Sequence, residues 1–332
     1  MAFASSSTST TVVVTGATGK VGSRLVKQML QDDDTNATND IRVVALVRNA
    51  TKAGSLFPPS SSLDIVQVNF EDENSLQSAF GKYDGFGLFL ACGNVPNQQD
   101  LELNICRAAA AASCWHCVKL STAQPVIEQK ESYGSAHQVV EKELSTLFVD
   151  NQYSILRPHM FMQMLDPNLG GPLLGIDLRE TNVCTHAFAN APMALIDCED
   201  VAACAKAILL DSRYDNDKNS KRIRRHAGKV YELTGPKAFT LQQEVAKVIS
   251  TLRPSDKQVS IQPCSIDDVV SMLPPIVADQ MKAFLKTLME YDTVTNDFES
   301  LTGQRPKSIE EFIIQNPRSF LPRQSRTGNE IN

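Results

Sequence analysis

The chain has 332 residues, of which 42 % are hydrophobic and 21 % are charged, so it can bury a sizeable core in about two domains. Its 32 Lys and Arg against 38 Asp and Glu give a net charge of −6, which excludes a chain-wide basic surface for nucleic acid. No apolar run approaches the roughly 18 residues that a membrane-spanning helix needs, and the Ser- and Thr-rich start lacks both parts of a secretory signal.

Short apolar segments alternate with helical segments through the first 158 residues. Strands are predicted over residues 11–15, 41–48, 63–70, 85–92, 117–122 and 153–157. Helices are predicted from residue 22 onward and over residues 74–80, 98–112 and 135–148. Because strands and helices that alternate at this spacing form βαβ units, the pattern predicts an α/β fold with a doubly wound parallel sheet.

The alternation changes after Pro158. Helices are predicted over residues 199–210 and 241–252, the second behind Thr240 as its cap, and strands over residues 229–234 and 259–261. We therefore divide the chain into a first lobe, residues 11–158, and a smaller α+β C-terminal lobe, residues 159–321, that binds the substrate and covers the first. The two ends, residues 1–10 and 322–332, are expected to be disordered.

A glycine-rich turn follows the first strand. Its residues are Gly16, Ala17, Thr18, Gly19, Lys20, Val21 and Gly22. Glycines in such a turn let backbone N–H groups approach a pyrophosphate, and the N-terminus of the following helix attracts the same charge. Because the turn lies between a strand and a helix in the first βαβ unit, it predicts a dinucleotide cofactor and a Rossmann-type sheet.

Arg48 ends the second strand, where NAD-binding proteins commonly carry Asp or Glu on the adenosine ribose. A guanidinium can instead pair with a 2′-phosphate, and Lys20 in the turn adds a second cation. The two residues predict NADP(H) rather than NAD(H), and the alternative is a pair of ordinary surface cations.

Longer motifs resemble a known family. They are TGATGKVG, ALVRN, HQVVEKEL, YSILRPHMFMQ, CEDVAA, YELTGP and LTGQRPKSIEEF, and they are spread over most of the chain. The chain is similar to the NmrA-like group of atypical short-chain dehydrogenases, which includes triphenylmethane reductase, azoreductase-like and quinone-oxidoreductase-like proteins, and also transcriptional co-regulators that bind dinucleotide. The resemblance implies that Ser121 and Pro158, at the ends of the fifth and sixth predicted strands, belong to the cofactor site.

The same resemblance implies two candidate catalytic residues, Tyr133 and His137. Ordinary short-chain dehydrogenases use Tyr-x-x-x-Lys, whereas here His137 stands in the place of the Lys. An imidazole with a pKa of about 6.5 can donate a proton or orient a ribose hydroxyl. The alternatives are that His137 only packs against its helix, and that Tyr133 is inactive without its usual cation.

The sequence contains one closely spaced pair of cysteines, which we interpret as structural. Cys114 and Cys117 form a C-x-x-C pattern, but they lie between a helix and the start of the fifth predicted strand and so should be at the edge opposite the cofactor. Because no second paired motif could complete a zinc site, no metal is expected.

The basic run at residues 218–226 is interpreted as a solvated loop, with nuclear import or phosphate binding as the alternatives.

These residues together favour an NADPH-dependent oxidoreductase that transfers hydride to a hydrophobic, aromatic or quinone-like small molecule. The alternative is a non-catalytic NADP(H)-sensing regulator that acts through protein partners. Eight cysteines without a secretory signal are typical of reduced thiols, so we expect a cytoplasmic protein without a nucleic-acid or membrane partner. A homodimer and a protein partner both stay open.

Overall fold

The structure is a computed structural model, and it describes residues 10–35, 41–93, 95–129, 134–166, 182–212, 225–253, 258–271 and 275–321. The chain forms two compact units. The first comprises Met1–His159, Cys198–Leu233 and Thr295–Arg305, and the second comprises Met160–Asp197, Thr234–Val294 and Pro306–Asn332. The proposed single boundary at residue 158 differs from this division, because two later segments return to the first unit.

The strands and helices are listed in chain order. The strands are β1 (Thr10–Val14), β2 (Ile41–Val47), β3 (Leu63–Gln67), β4 (Phe86–Leu90), β5 (Cys114–Leu120), β6 (Tyr153–Pro158), β7 (Val183–His186), β8 (Lys229–Leu233) and β9 (Ser260–Pro263). The helices are α1 (Gly22–Thr35), α2 (Ala50–Leu56), α3 (Glu73–Phe80), α4 (Gln98–Ala111), α5 (Gln124–Ile127), α6 (Gly134–Leu147), α7 (Cys198–Ser212), α8 (Ala246–Thr251), α9 (Ile266–Ser271), α10 (Pro275–Met289), α11 (Asp297–Thr302) and α12 (Ile309–Gln315). None of the helices in these described ranges is long and apolar enough to cross a membrane.

The first unit is built on a seven-stranded parallel sheet in the order β3-β2-β1-β4-β5-β6-β8. The chain runs outward from β1 to β3 on one side, then returns to β4 beside β1 and continues on the other side. This order confirms the predicted doubly wound parallel sheet. It also opens a crevice at the carboxyl ends of β1 and β4, where open α/β sheets bind their ligands.

Burial explains why the first strand has no alternating pattern. Val12, Val13 and Val14 are all fully buried, because β1 lies between β2 and β4 and side chains from both faces of this central parallel strand are covered. Leu25 and Met29 of α1 are fully buried four residues apart, as expected for the inner face of an amphipathic helix. This packing holds the start of α1, and with it the glycine turn, against the carboxyl end of β1.

The second unit contains a small parallel sheet of β7 and β9, paired from Val183 with Ser260. The predicted cap of its helix is confirmed, since the Thr240 side chain accepts a hydrogen bond from the backbone of Gln243. The helix that follows begins with a π-helical turn, Leu241–Val245, before α8. The predicted disordered ends lie outside the described residues, apart from Thr10 at the start of β1.

Candidate functional site

The glycine turn is folded so tightly that side chains are excluded from two of its positions. Gly16 has a φ of +60°, and a Cβ added there would lie 2.8 Å from the carbonyl oxygen of Ala91. A Cβ on Gly22 would lie 2.3 Å from the carbonyl oxygen of Gly16. The backbone N–H of Gly19 donates to that same oxygen at 2.8 Å. Glycine is therefore required by the turn itself, before any ligand is considered.

Thr15 fastens this turn to the neighbouring strand. Its hydroxyl donates towards the carbonyl oxygens of Phe89 and Ala91 at 3.1 and 3.0 Å, and it accepts from the backbone N–H of Ala91 at 2.9 Å. The carboxyl ends of β1 and β4 are thus joined directly beside the glycines.

A cleft lies at this edge of the sheet, between the glycine turn and the residues that follow β2, β3 and β4. It is lined by Gly16, Ala17, Thr18, Leu46, Val47, Arg48, Phe70, Ala91, Cys92, Gly93, Val95 and Leu101. Gly16, Thr18 and Arg48 were all assigned to the cofactor from the sequence. Gly19, Lys20, Val21 and Gly22 belong to the turn without being described among the lining residues, and Val21 is buried against the core.

Arg48 is exposed and leaves β2 at the rim of this cleft. Among the described residues it forms no ion pair, so its guanidinium is available to an anion that enters the cleft. A cradle without side chains next to such a guanidinium fits the two kinds of phosphate in NADP(H): backbone N–H groups for the pyrophosphate and a planar cation for the 2′-phosphate.

His137 lies in a buried polar cluster on the inner side of α6. Its Nδ1 is 3.0 Å from Nζ of Lys119 on β5, and its Nε2 is 3.4 Å from Nε2 of Gln98 at the start of α4. Lys119 is in turn 3.1 Å from the carboxylate of Glu102, and both of these side chains are fully buried. Burial, together with the neighbouring charge of Lys119, holds the pKa of His137 well below its usual value.

Two hydrogen bonds between described residues join this cluster to the cleft. The backbone N–H of Gln98 donates to the carbonyl oxygen of the lining residue Val95 at 3.0 Å. The backbone N–H of Cys92, a lining residue, donates to Oε1 of Glu102 at 3.2 Å. Sequence reasoning missed both Glu102 and Lys119. The available signal was a lysine in the middle of the apolar strand β5, because charged residues are rarely buried unless they are paired.

A second polar network lies at the carboxyl ends of β5, β6 and β8. Ser121 donates to Oε1 of Glu141 at 2.5 Å, and the Arg157 guanidinium pairs with both carboxylate oxygens of Glu141. The same guanidinium lies 3.6 Å from Oε1 of Glu232 on β8. His137 and Glu141 are four residues apart on α6, so the helix presents both side chains to the sheet.

The remaining predicted site residues have mixed outcomes. Ser121 directly follows β5, and Pro158 ends β6, so both lie at the carboxyl edge of the sheet, although neither is among the described lining residues of the cleft. Tyr133 lies outside the described residues. Of the basic run, only Arg225 and His226 are described, and Arg225 lies 3.4 Å from Asp211.

The C-x-x-C pair lies inside β5 rather than before it, which corrects the predicted start of this strand. Cys114 pairs with Phe86 at the amino end of β4, on the edge away from the cleft. Burial raises the pKa of both thiols, and this leaves them poorly nucleophilic. Trp115 packs over Gly87, where an added Cβ would lie 2.4 Å from the indole.

All eight cysteines are free, and the described residues contain no group of three or more His, Cys, Asp or Glu side chains that could hold a metal.

Two known proteins are similar to this chain in sequence, and one solved structure is similar to it in fold. The (4-alkanoyl-5-oxo-2,5-dihydrofuran-3-yl)methyl phosphate reductase of Streptomyces griseus is 26 % identical over 320 residues, which cover 94 % of this chain and 99 % of that protein. Quinone oxidoreductase 2 of Escherichia coli is 26 % identical over 263 residues, which cover 79 % of this chain and 80 % of that protein. Triphenylmethane reductase of Citrobacter sp., solved with NADP(H), superposes with a TM-score of 0.68 at 19 % identity over 92 % of this chain and 99 % of that one.

Residues 16–211 match the family described as NAD(P)H-binding. The match begins at the first glycine of the turn and covers more than half of the chain. It confirms the predicted dinucleotide cofactor, and the superposition with triphenylmethane reductase confirms the Rossmann-type fold. By its glycine cradle, its sheet order and this match, the chain belongs to the NAD(P)H-binding family.

Proposed function

We propose that the chain is an NADPH-dependent oxidoreductase that reduces a hydrophobic, aromatic or quinone-like small molecule by hydride transfer. The observation that carries the proposal is the side-chain-free cradle at Gly16 and Gly22 beside Arg48, which has no ion-pair partner in the described part of the chain. When bound, NADPH supplies the hydride from its nicotinamide ring.

Each predicted cofactor residue has a role in this proposal. The turn formed by Gly16, Thr18, Gly19, Lys20, Val21 and Gly22 holds the pyrophosphate through backbone N–H groups and the start of α1. Arg48 pairs with the 2′-phosphate and selects NADPH over NADH. Ser121 and Pro158 serve the nicotinamide half at the ends of β5 and β6.

His137 acts in this proposal as a neutral hydrogen-bonding group. A proton-donating imidazolium requires a pKa near the working pH, and burial beside Lys119 lowers the pKa of His137 well below its usual value. Its two ring nitrogens, 3.0 Å from Nζ of Lys119 and 3.4 Å from Nε2 of Gln98, instead suit a residue that holds these two side chains in place beside the cleft.

The proposed substrate class is supported by the names of the relatives. One acts on quinones, one on triphenylmethane dyes and one on an alkanoyl dihydrofuranone phosphate. Quinones and triphenylmethane dyes are both conjugated molecules that can accept a hydride. The alternative of a non-catalytic regulator receives no support from these proteins, all three of which are named as reductases or oxidoreductases.

The proposal is tested by following NADPH absorbance with the purified chain and a panel of quinones and triphenylmethane dyes. We expect oxidation of NADPH with at least one acceptor, and a markedly slower reaction with NADH at the same concentration. Failure with every acceptor, together with an NADPH complex in which protein covers the reacting face of the nicotinamide, would contradict the reductase.

A further inference from the structure

We infer that Ser121 accepts a hydrogen bond from a donor group on the nicotinamide half of the cofactor, and that Glu141 and Arg157 position it for this task. The inference rests on the proposed NADPH binding and deepens it. It assigns to Ser121 the role of an acceptor, opposite to that of a serine that donates to a substrate carbonyl.

The direction of the Ser121 hydroxyl is fixed by its neighbour. An ionised carboxylate accepts hydrogen bonds and donates none, so the short contact of 2.5 Å to Glu141 uses the only hydrogen that Ser121 Oγ carries. Within the described residues this oxygen accepts no hydrogen bond. Its lone pairs are therefore not used by the described residues and can accept from a bound ligand.

Arg157 holds the Glu141 carboxylate in this orientation. The Nε atom of Arg157 lies 3.2 Å from Oε1 of Glu141, and the Nη2 atom contacts Oε2, which gives the two parallel hydrogen bonds of a fork-shaped pair. Both side chains are largely buried, so water competes weakly for these bonds. Glu232 lies against Nη1 and holds the guanidinium from the side of β8.

The position of Ser121 indicates which part of a dinucleotide it would meet. Its backbone N–H donates to Leu156 at 2.8 Å, so Ser121 lies at the carboxyl edge where β5 pairs with β6. Arg48 lies at the same edge beyond β2, on the other side of β1 and β4. Because a dinucleotide lies across this edge at the reversal of strand order, a cofactor with its 2′-phosphate at Arg48 directs its nicotinamide half towards β5. That half offers two kinds of donor, the carboxamide N–H and the ribose hydroxyls.

The test is a set of NADPH titrations, followed by calorimetry, with wild type, Ser121→Ala, Glu141→Gln and the double variant. We expect Ser121→Ala to weaken NADPH binding by roughly five- to ten-fold, the usual effect of one lost hydrogen bond. We expect Glu141→Gln to weaken it similarly, because a glutamine amide can donate to Oγ and occupy the acceptor. In the double variant the two effects should not add, since both act through one oxygen.

Two control variants separate positioning from a purely structural role. Ser121→Thr retains the hydroxyl and should recover most of the NADPH affinity that Ser121→Ala loses. Ser145→Ala removes an exposed serine of α6, the helix that carries Glu141; among the described residues its hydroxyl donates to the carbonyl of Lys142, and the substitution should leave NADPH binding unchanged. Thermal unfolding of each variant verifies that it is folded.

A reduced cofactor with 3-acetylpyridine in place of the nicotinamide identifies the donor, because it lacks the carboxamide N–H. If the penalty of Ser121→Ala disappears with this analogue, the donor is the carboxamide; if it persists, the donor is a ribose hydroxyl. Folded Ser121→Ala that binds NADPH as tightly as wild type would overturn the inference, and so would additive effects of the two substitutions. Wild type that binds no NADPH would instead overturn the proposed function.

Discussion

Gly22 is the position in the glycine turn where a single methyl group should do most damage. A Cβ there would lie 2.3 Å from the carbonyl oxygen of Gly16 and 2.8 Å from its carbonyl carbon, and backbone atoms cannot move aside as a side chain can. We expect Gly22→Ala to lower the free energy of unfolding by about 1–3 kcal/mol through this overpacking, and to weaken NADPH binding at least ten-fold.

Gly54→Ala is the matched control for this substitution. Gly54 is an exposed residue of helix α2, and a Cβ there would meet nothing within 4 Å. The control should be neutral or stabilise the protein by up to about 1 kcal/mol, because alanine favours helix. Urea unfolding and NADPH titration measure both variants, and equal behaviour of the two would show that the turn does not need a glycine at position 22.

His137 shows what a motif predicts and what it leaves open. The sequence pattern predicts this residue on a helix after the fifth strand, which is correct. It also suggests an imidazole with the ordinary histidine pKa. Its actual environment depends on Lys119, which lies 18 positions earlier on β5 and contacts Nδ1 across the gap between sheet and helix. A contact between two elements is invisible to a motif within one of them, so the lowered pKa could not be predicted.

At the scale of elements, Lys119 on β5 and Glu102 on α4 form a buried ion pair. Replacing only one of the two side chains should strongly lower the free energy of unfolding. Both side chains are fully buried, and removing one leaves the other as an uncompensated charge in the core. We expect Lys119→Met alone and Glu102→Leu alone to destabilise the protein by about 3–5 kcal/mol each. The double variant should be far more stable than the sum of the two costs, since no buried charge remains.

The surface pair of Lys237 and Glu244 provides the comparison, because both side chains are substantially exposed at a separation of 3.2 Å. Lys237→Ala should cost less than about 1 kcal/mol. Denaturant unfolding of these variants is the measurement. Strictly additive costs at Lys119 and Glu102 would contradict a charge-paired core.

The strands of the sheet were predictable because buried parallel strands are continuous β-branched and apolar runs, as in β1, β2 and β4. The missed elements lack such a signal. Helix α2 is seven residues long and contains Thr and Gly. It is capped by the Asn49 side chain, whose Oδ1 accepts from the backbone N–H of Lys52 at 2.9 Å. Strand β7 is only four residues long, and it pairs with β9, which lies far along the sequence.

At the scale of the whole molecule, acid should destabilise both units through their buried histidines. Burial holds the pKa of His137, in the first unit, well below its usual value, with Lys119 as the second cause, and burial lowers the pKa of His186, in the second unit, to about 4. Unfolded histidines titrate at about 6.5, so the unfolded chain takes up protons first as the pH falls. The contribution of the buried neutral histidines to the free energy of unfolding is therefore fully present above about pH 6.5. It declines below that pH, and for His186 the decline continues down to about pH 4.

We expect His186 to account for a loss of about 2 kcal/mol between pH 7.5 and pH 5, since each unit of pKa corresponds to about 1.4 kcal/mol, and His137 to add a loss in the same direction. Unfolding by urea at the two pH values measures this loss, and His137→Gln and His186→Gln should each remove their own share. An unchanged pH dependence in both variants would show that other groups cause the acid sensitivity.

The division of the molecule was the least predictable feature of the fold. Local patterns located the strand at β8 and the helix at α7, but they could not indicate that β8 pairs with β6 in the main sheet. That pairing follows from contacts between segments more than 70 positions apart, such as the hydrogen bond from His159 to Leu233. The boundary at residue 158, where the alternation of strands and helices changes, therefore separates segments that pack together.

The central claim is that the glycine turn and Arg48 form an NADPH site, and the most direct test is titration of NADPH and NADH into wild type and Arg48→Ala. A guanidinium paired with a phosphate contributes about 1.5–3 kcal/mol, so wild type should bind NADPH roughly ten- to a hundred-fold more tightly than NADH. In Arg48→Ala this preference should disappear while NADH binding is unchanged. Equal affinities of wild type for the two cofactors, or a preference that survives Arg48→Ala, would contradict the account.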